Sequence, residues 1–176
     1  MTIERQIIDA AARLRRQHEP HLIATVVRVQ GSAYRRPGAR MLLTQFRWIT
    51  GSVSGGCLEG DIAKKGWWRT QSGEPVVVTY DSRIDGDADD DDIRSAFGLG
   101  CDGVVEVMLE RAGTTGRLDP LEFASECIRT QRRGAIVTVI RSRMPEVKVG
   151  ARVTVRAGEE ARADGVVDHI LRTAMT

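Results

Sequence analysis

The chain has little cysteine, little aromatic content and no long apolar run. Its three cysteines, Cys57, Cys101 and Cys127, are odd in number and irregularly spaced, which excludes a disulfide framework. A reducing, cytoplasmic compartment is therefore expected, where thiols serve chemistry or simply pack. No Cys-x-x-Cys and no pair of histidines at ligand spacing occurs, so a closed structural zinc site is not expected. No apolar stretch approaches membrane-spanning length, and the N-terminus lacks the basic, apolar, small-residue order of a secretory signal. Neither a membrane nor a nucleic acid is an expected partner. Formal net charge is only +2, and the basic residues, overwhelmingly arginine, are scattered rather than gathered into a stripe. Arginine suits bidentate phosphate or carboxylate binding, although composition bias is an equally plain source.

What is present is ordinary for a soluble core: 41% hydrophobic and 28% charged residues over 176 positions. That length suits one domain, or one domain made of two similar halves. Ile3, Ile7, Ala10, Ala11 and Leu14 recur at helical spacing, predicting a helix from Ile3 to about His18 that starts at Thr2 and is ended by Pro20. Strands are predicted over Leu22–Val29, Ala39–Thr44 and Trp48–Thr50, a helix over Leu58–Thr70, and strands over Pro75–Tyr80 and Val104–Leu109. Asp85 to Asp92 forms an acidic loop whose spacing fails a calcium-binding pattern, since position twelve from Asp85 is Ala96 rather than Glu. Of the Trp67-Trp68 pair, one is expected in the core and one on the surface.

The later chain echoes the earlier. A predicted helix at Leu121–Arg132 precedes Ala135–Arg141, which matches Ile23–Arg28, and Val149-Gly150-Ala151-Arg152-Val153 matches Pro37-Gly38-Ala39-Arg40-Met41. The offsets are 113 and 112 positions, reconciled by one deletion. Such self-similarity predicts a single α/β domain, 1–176, built from two related strand-strand-helix halves. These halves cover about 1–73 and 119–176, joined by 74–118, with helices flanking a mixed sheet and no Rossmann domain.

The chemistry concentrates in Gly51-Ser52-Val53-Ser54-Gly55-Gly56-Cys57-Leu58-Glu59-Gly60, between a predicted strand and a predicted helix. Glycine permits close approach of backbone to a ligand, and a cysteine before a helix sits where the positive helix end favours thiolate. The alternative is a tight turn with an inert thiol. The second half keeps the strand framework without Ser-Gly-Gly-Cys, which favours function, because a purely architectural need would apply to both halves. Gly31-Ser32-Ala33-Tyr34-Arg35-Arg36-Pro37-Gly38 could cradle a phosphate with backbone N–H groups and arginine forks, or simply connect strands. Cys101 lies in a second glycine turn, Gly98-Leu99-Gly100-Cys101-Asp102-Gly103. If the two turns converge, soft thiolates would line a small-walled pocket suited to molybdenum, copper(I) or persulfide. Cys127, among Phe123, Ala124 and Ile128, is expected in the core.

These segments resemble the XdhC/CoxI family, chaperones that bind molybdenum cofactor and deliver it to xanthine dehydrogenase-type enzymes. The resemblance rests on Gly31-Ser32, Arg35, Gly38-Ala39-Arg40-Met41-Leu42, the Gly51–Glu59 segment, Tyr80-Asp81, and Gly98–Gly103 with Val105-Glu106-Val107, in family order across roughly residues 22 to 110. It implies a site in which Cys57 and Cys101 are candidate metal ligands, with Ser54, Gly55, Gly56, Glu59 and Gly100 around the pterin and Ser32, Arg35 and Arg40 toward its phosphate. It further implies that the chain binds molybdopterin cofactor and assists its protection, sulfuration or insertion into a molybdenum hydroxylase, acting as a chaperone rather than a catalyst. Implied partners are that client enzyme, a cysteine desulfurase or a separate Rossmann-domain protein, and a second copy in a homodimer. Three departures stand out: Ala33-Tyr34 where Ser/Thr-Pro is common, Asp102 where glycine is usual, and no room for the Rossmann-like domain of larger members. Two rivals remain: a thiol-based sulfur-transfer or redox enzyme using Cys57 and Cys101, and a non-catalytic assembly partner.

Overall fold

The computed structural model describes residues 2–81, 103–112, 118–164 and Val167. Helix α1, Ile3–Arg16, starts where the Thr2 hydroxyl accepts the Arg5 N–H and buries Ile7, Ile8, Ala10, Ala11 and Leu14 on one face. Strands β1 (His21–Gly31), β2 (Arg40–Thr44) and β3 (Trp48–Gly51) follow, then helix α2 (Glu59–Arg69) and strands β4 (Val76–Asp81) and β5 (Gly103–Arg111). Helix α3, Pro120–Thr130, is capped by Asp119, with proline in its first turn. Strands β6 (Gly134–Thr138), β7 (Arg152–Arg156) and β8 (Arg162–Ala163) complete the order.

The strands form a five-stranded sheet, β3-β2-β1-β5-β4, and a three-stranded sheet, β6-β7-β8. Every pairing among the described strands is antiparallel, which corrects the expected mixed sheet. The reason is local: β1 to β3 and β6 to β8 run as successive hairpins, and a parallel neighbour would require a crossover.

Alternation along the strands gives the large sheet two buried faces. Leu22, Ala24, Val26, Met41 and Leu43 point to the α2 side, where they meet Leu58 and Ile62. Ile23 and Leu42 point to the other side, against α1 and Leu121 of α3. A bulge between Val26 and Arg28 shifts the β1–β5 register by one residue, so that Arg28, not Val27, stands opposite Glu106.

The two hairpins share a hydrogen-bond pattern. The Val26 N–H donates to Ala39 O (2.9 Å) and the Gly38 N–H to Val26 O (2.8 Å); the Val139 N–H donates to Ala151 O (2.9 Å) and the Gly150 N–H to Val139 O (2.8 Å). Likewise Ser52 N–H to Arg40 O (2.8 Å) corresponds to Asp164 N–H to Arg152 O (2.9 Å). Gly38 and Gly150 both turn at positive φ, +96° and +86°. The sheets meet through ion pairs. Arg28 and Arg141 each reach Glu106, at 3.3 and 3.1 Å, while Arg152 is fully buried and its Nη2 donates to both Glu110 oxygens at 2.7 and 2.6 Å. On its outer side the small sheet exposes Ala135, Val137 and Val155, which share a face by register. Among the described residues, no helix is long and apolar enough to cross a membrane.

Candidate functional site

The Gly51–Gly60 segment is built around a buried carboxylate. Glu59 is the first residue of α2, and its Oε1 accepts the N–H groups of Val53 (3.0 Å) and Ser54 (2.8 Å). Its Oε2 accepts the Ser54 hydroxyl and the Gly56 N–H (3.1 Å). The Ser54 Oγ in turn accepts the N–H groups of Gly56 and Leu58, both at 3.1 Å. Backbone donors that the start of a helix leaves unpaired are thus satisfied from within the loop. Burial works to raise the Glu59 pKa, but the bonds from Ser54 and the loop backbone prevail and hold it below the usual carboxylate value. Gly51 takes φ +82°, and a Cβ there would collide with the Arg40 carbonyl and come within 2.8 Å of Ile7 Cδ1. Gly56 takes φ +122° with open space around it.

The result is a cleft of about 540 Å³ between the 31–38 loop and the 51–59 loop. Ser32, Tyr34 and Arg35 line one side, Ser54, Gly55 and Cys57 the other, over a floor of Val53, Leu58 and Val105. Cys57 is exposed and unbonded, two residues before α2. Arg35 is half-buried; its Nε donates to the Ser52 Oγ at 3.3 Å, and Ser52 donates to Ser54 O at 2.5 Å. No carboxylate among the described residues pairs with Arg35, which lines the cleft together with Cys57.

Of the residues expected at the site, Ser32, Arg35, Ser54, Gly55 and Cys57 are brought together here, with Gly56 and Glu59 holding the loop behind them. Arg40 is not brought to this cleft. Strand alternation puts it with Leu42 on the α1 face, where it lines a separate cavity of about 80 Å³ with Arg35, Ser52 and Glu4. Burial lowers the Arg40 pKa there, while Glu110 pulls it upward and Arg152 opposes it. Gly100 and Cys101 lie outside the described residues, as do Asp85 to Asp92. Gly103 enters β5 where a Cβ would strike the Ser32 carbonyl. Tyr34, expected only as a departure from a motif, stands out in the cleft as a 75% exposed ring. A tyrosine next to Arg35 in a glycine-bounded loop was the signal available in the sequence. Trp67 packs on the core beneath the Arg111 guanidinium (4.7 Å), whereas Trp68 is exposed. Among the described residues no three His, Cys, Asp or Glu side chains gather as a metal site.

The antiparallel α/β scaffold thus presents an exposed thiol and an arginine along one cleft. Residues 14–81 match the XdhC and CoxI family. It is 32% identical over 123 residues to a Bacillus subtilis (strain 168) protein whose name describes it as a probable xanthine dehydrogenase subunit. That alignment covers 70% of this chain and 35% of the relative. A solved structure described as a xanthine dehydrogenase from Bacillus halodurans shares the fold with a TM-score of 0.63 and 24% identity, over 90% of this chain and 44% of that one. The chain thus spans less than half the length of both relatives.

Proposed function

We propose that this chain binds a molybdopterin-type molybdenum cofactor in the Cys57 cleft and assists its protection, sulfuration or insertion into a xanthine dehydrogenase-type hydroxylase. The observation that carries this reading is the juxtaposition of an exposed, unbonded Cys57 and an Arg35 with no carboxylate partner among the described residues, in one cleft of about 540 Å³. The XdhC and CoxI family match and the name of the Bacillus subtilis relative support it. The residues fit the group in kind. A thiol is a soft ligand suited to a soft metal, an arginine fork suits a phosphate, and the volume lies within the range of small-molecule sites. When bound, the cofactor would supply the redox chemistry of its client enzyme. This chain's residues would bind and orient the group: Arg35 and Ser32 would hold its anionic end, Gly55 and Gly56 would admit its ring system, and Cys57 would offer a thiolate ligand. Glu59 acts behind the cleft by fixing the loop. Cys101 enters this reading from the sequence alone, as the cysteine of the second glycine turn.

The reading extends to the whole chain. The two hairpins, with matching hydrogen bonds at offsets of 112 and 113 positions, are related halves of one domain, 1–176. The client hydroxylase, a cysteine desulfurase or separate Rossmann-domain protein, and a second copy of the chain are the partners, in the cytoplasm. The test is to express the protein in a host that makes the cofactor, purify it anaerobically, and assay molybdenum and oxidised-pterin fluorescence. Wild type is expected to carry both, and Cys57→Ala to lose molybdenum. Absence of both from wild type, with added cofactor also failing to bind, refutes the reading; unaltered metal in Cys57→Ala refutes the thiol's role.

A further inference from the structure

Tyr34 is a large aromatic side chain that the fold does not use. It remains 75% exposed, although an aromatic ring carries a large apolar area that gains from burial. Its surroundings belong to the cleft. The ring leans on Gly55, lying 3.5–3.6 Å from where a Cβ would stand, and the Arg35 guanidinium sits 5.5 Å from its centroid. Arg35 and Cys57 line the same cleft. A flat apolar surface beside a cation is the pairing that holds a heteroaromatic ring carrying an acidic group: the ring stacks, the acid meets the fork. Both arms spring from consecutive residues of one loop, 5.5 Å apart, so one ligand can meet both.

We infer that Tyr34 is a specificity-determining residue, the stacking wall for the planar heterocycle of an anionic ligand whose acidic group Arg35 holds. The inference rests on the cofactor reading above and names what that reading leaves open, namely which part of the chain recognises the ring. The hydroxyl is dispensable to this role and the π-face is not.

Two probes separate the arms: a fluorescent oxidised pterin, and the same pterin bearing a phosphate monoester. Tyr34→Ala is expected to weaken both probes by about tenfold, the effect of removing one stacked ring. Tyr34→Phe should bind both probes within about twofold of wild type. Arg35→Ala should weaken only the phosphorylated probe. Because Tyr34 is exposed, the thermal transition of each variant serves as the fold control. Wild-type affinity for both probes in Tyr34→Ala overturns the inference while leaving the cofactor reading intact, and a loss in Tyr34→Phe equal to that in Tyr34→Ala overturns stacking in favour of the hydroxyl. Failure of wild type to bind either probe overturns the inference together with the pterin part of the cofactor reading.

Discussion

Glu59 and Cys57 stand two residues apart and divide the loop's work between folding and chemistry. Glu59 is buried with both oxygens committed to loop donors, and Cys57 is exposed with no bond to make. Glu59→Gln keeps the shape but turns an amide nitrogen toward donors and removes the charge, so a loss of about 1.5–3 kcal/mol is expected at neutral pH by urea unfolding. The pH dependence has a definite sign. The Glu59 pKa is lower in the folded chain than in the unfolded one, so its stabilisation is complete above the ordinary carboxylate range and disappears as pH falls through the lowered folded value. The stability gap between wild type and Glu59→Gln should therefore shrink on acidification. A gap that stays constant would show that the charge is immaterial. Cys57→Ala, by contrast, should leave unfolding unchanged within about 0.5 kcal/mol.

Helix α2 is held to strand β4 by a buried polar cluster. Tyr80 donates to Asp61 Oδ2 at 2.7 Å, and Arg69 Nη1 donates to the same oxygen at 2.5 Å. Burial, then the bond and charge of Asp61, push the Tyr80 phenol well above its usual pKa, so it stays a donor at every working pH. Tyr80→Phe should cost about 1 kcal/mol, because Arg69 still satisfies Asp61, whereas Asp61→Ala strands a buried guanidinium and should cost about 3 kcal/mol or more. Equal losses from the two variants in thermal or urea unfolding would contradict this ranking. The elements themselves were legible. Periodicity predicts a helix from Ile3, and β-branched runs predict β1 to β5 within a few residues of where they stand. The faces were not. Along β2, Met41, Leu42 and Leu43 are all buried, so the usual apolar–polar alternation gives no clue to which side Arg40 takes. The Gly51–Gly60 segment stood out in the sequence as a candidate site, while the inward turn of Glu59 did not. An acid in a glycine loop reads equally as ligand contact or as internal cap until its partners are placed.

At the scale of the whole molecule, one strand carries the join between the two sheets. Strand β5 presents Glu106 and Glu110 on one face, the first reached by Arg28 and Arg141, the second by Arg152. Burial pushes the Glu110 carboxyl upward against the pull of Arg152, as expected of a pair whose value lies in its being complete. Arg152→Leu or Glu110→Leu alone should destabilise by about 3–5 kcal/mol, and the double variant by clearly less than their sum. Additive losses in that cycle would place the join elsewhere. The far side of the same small sheet carries a different consequence. Ala135, Val137 and Val155 meet solvent there, and among the described residues strand β6 has a neighbour on one edge only. In colloidal terms this is a sticky face on a molecule of net charge +2, too weakly charged to keep its copies apart. Static light scattering should give a negative second virial coefficient that added salt barely changes, and Val137→Lys should move it toward positive values without altering the Cys57 cleft.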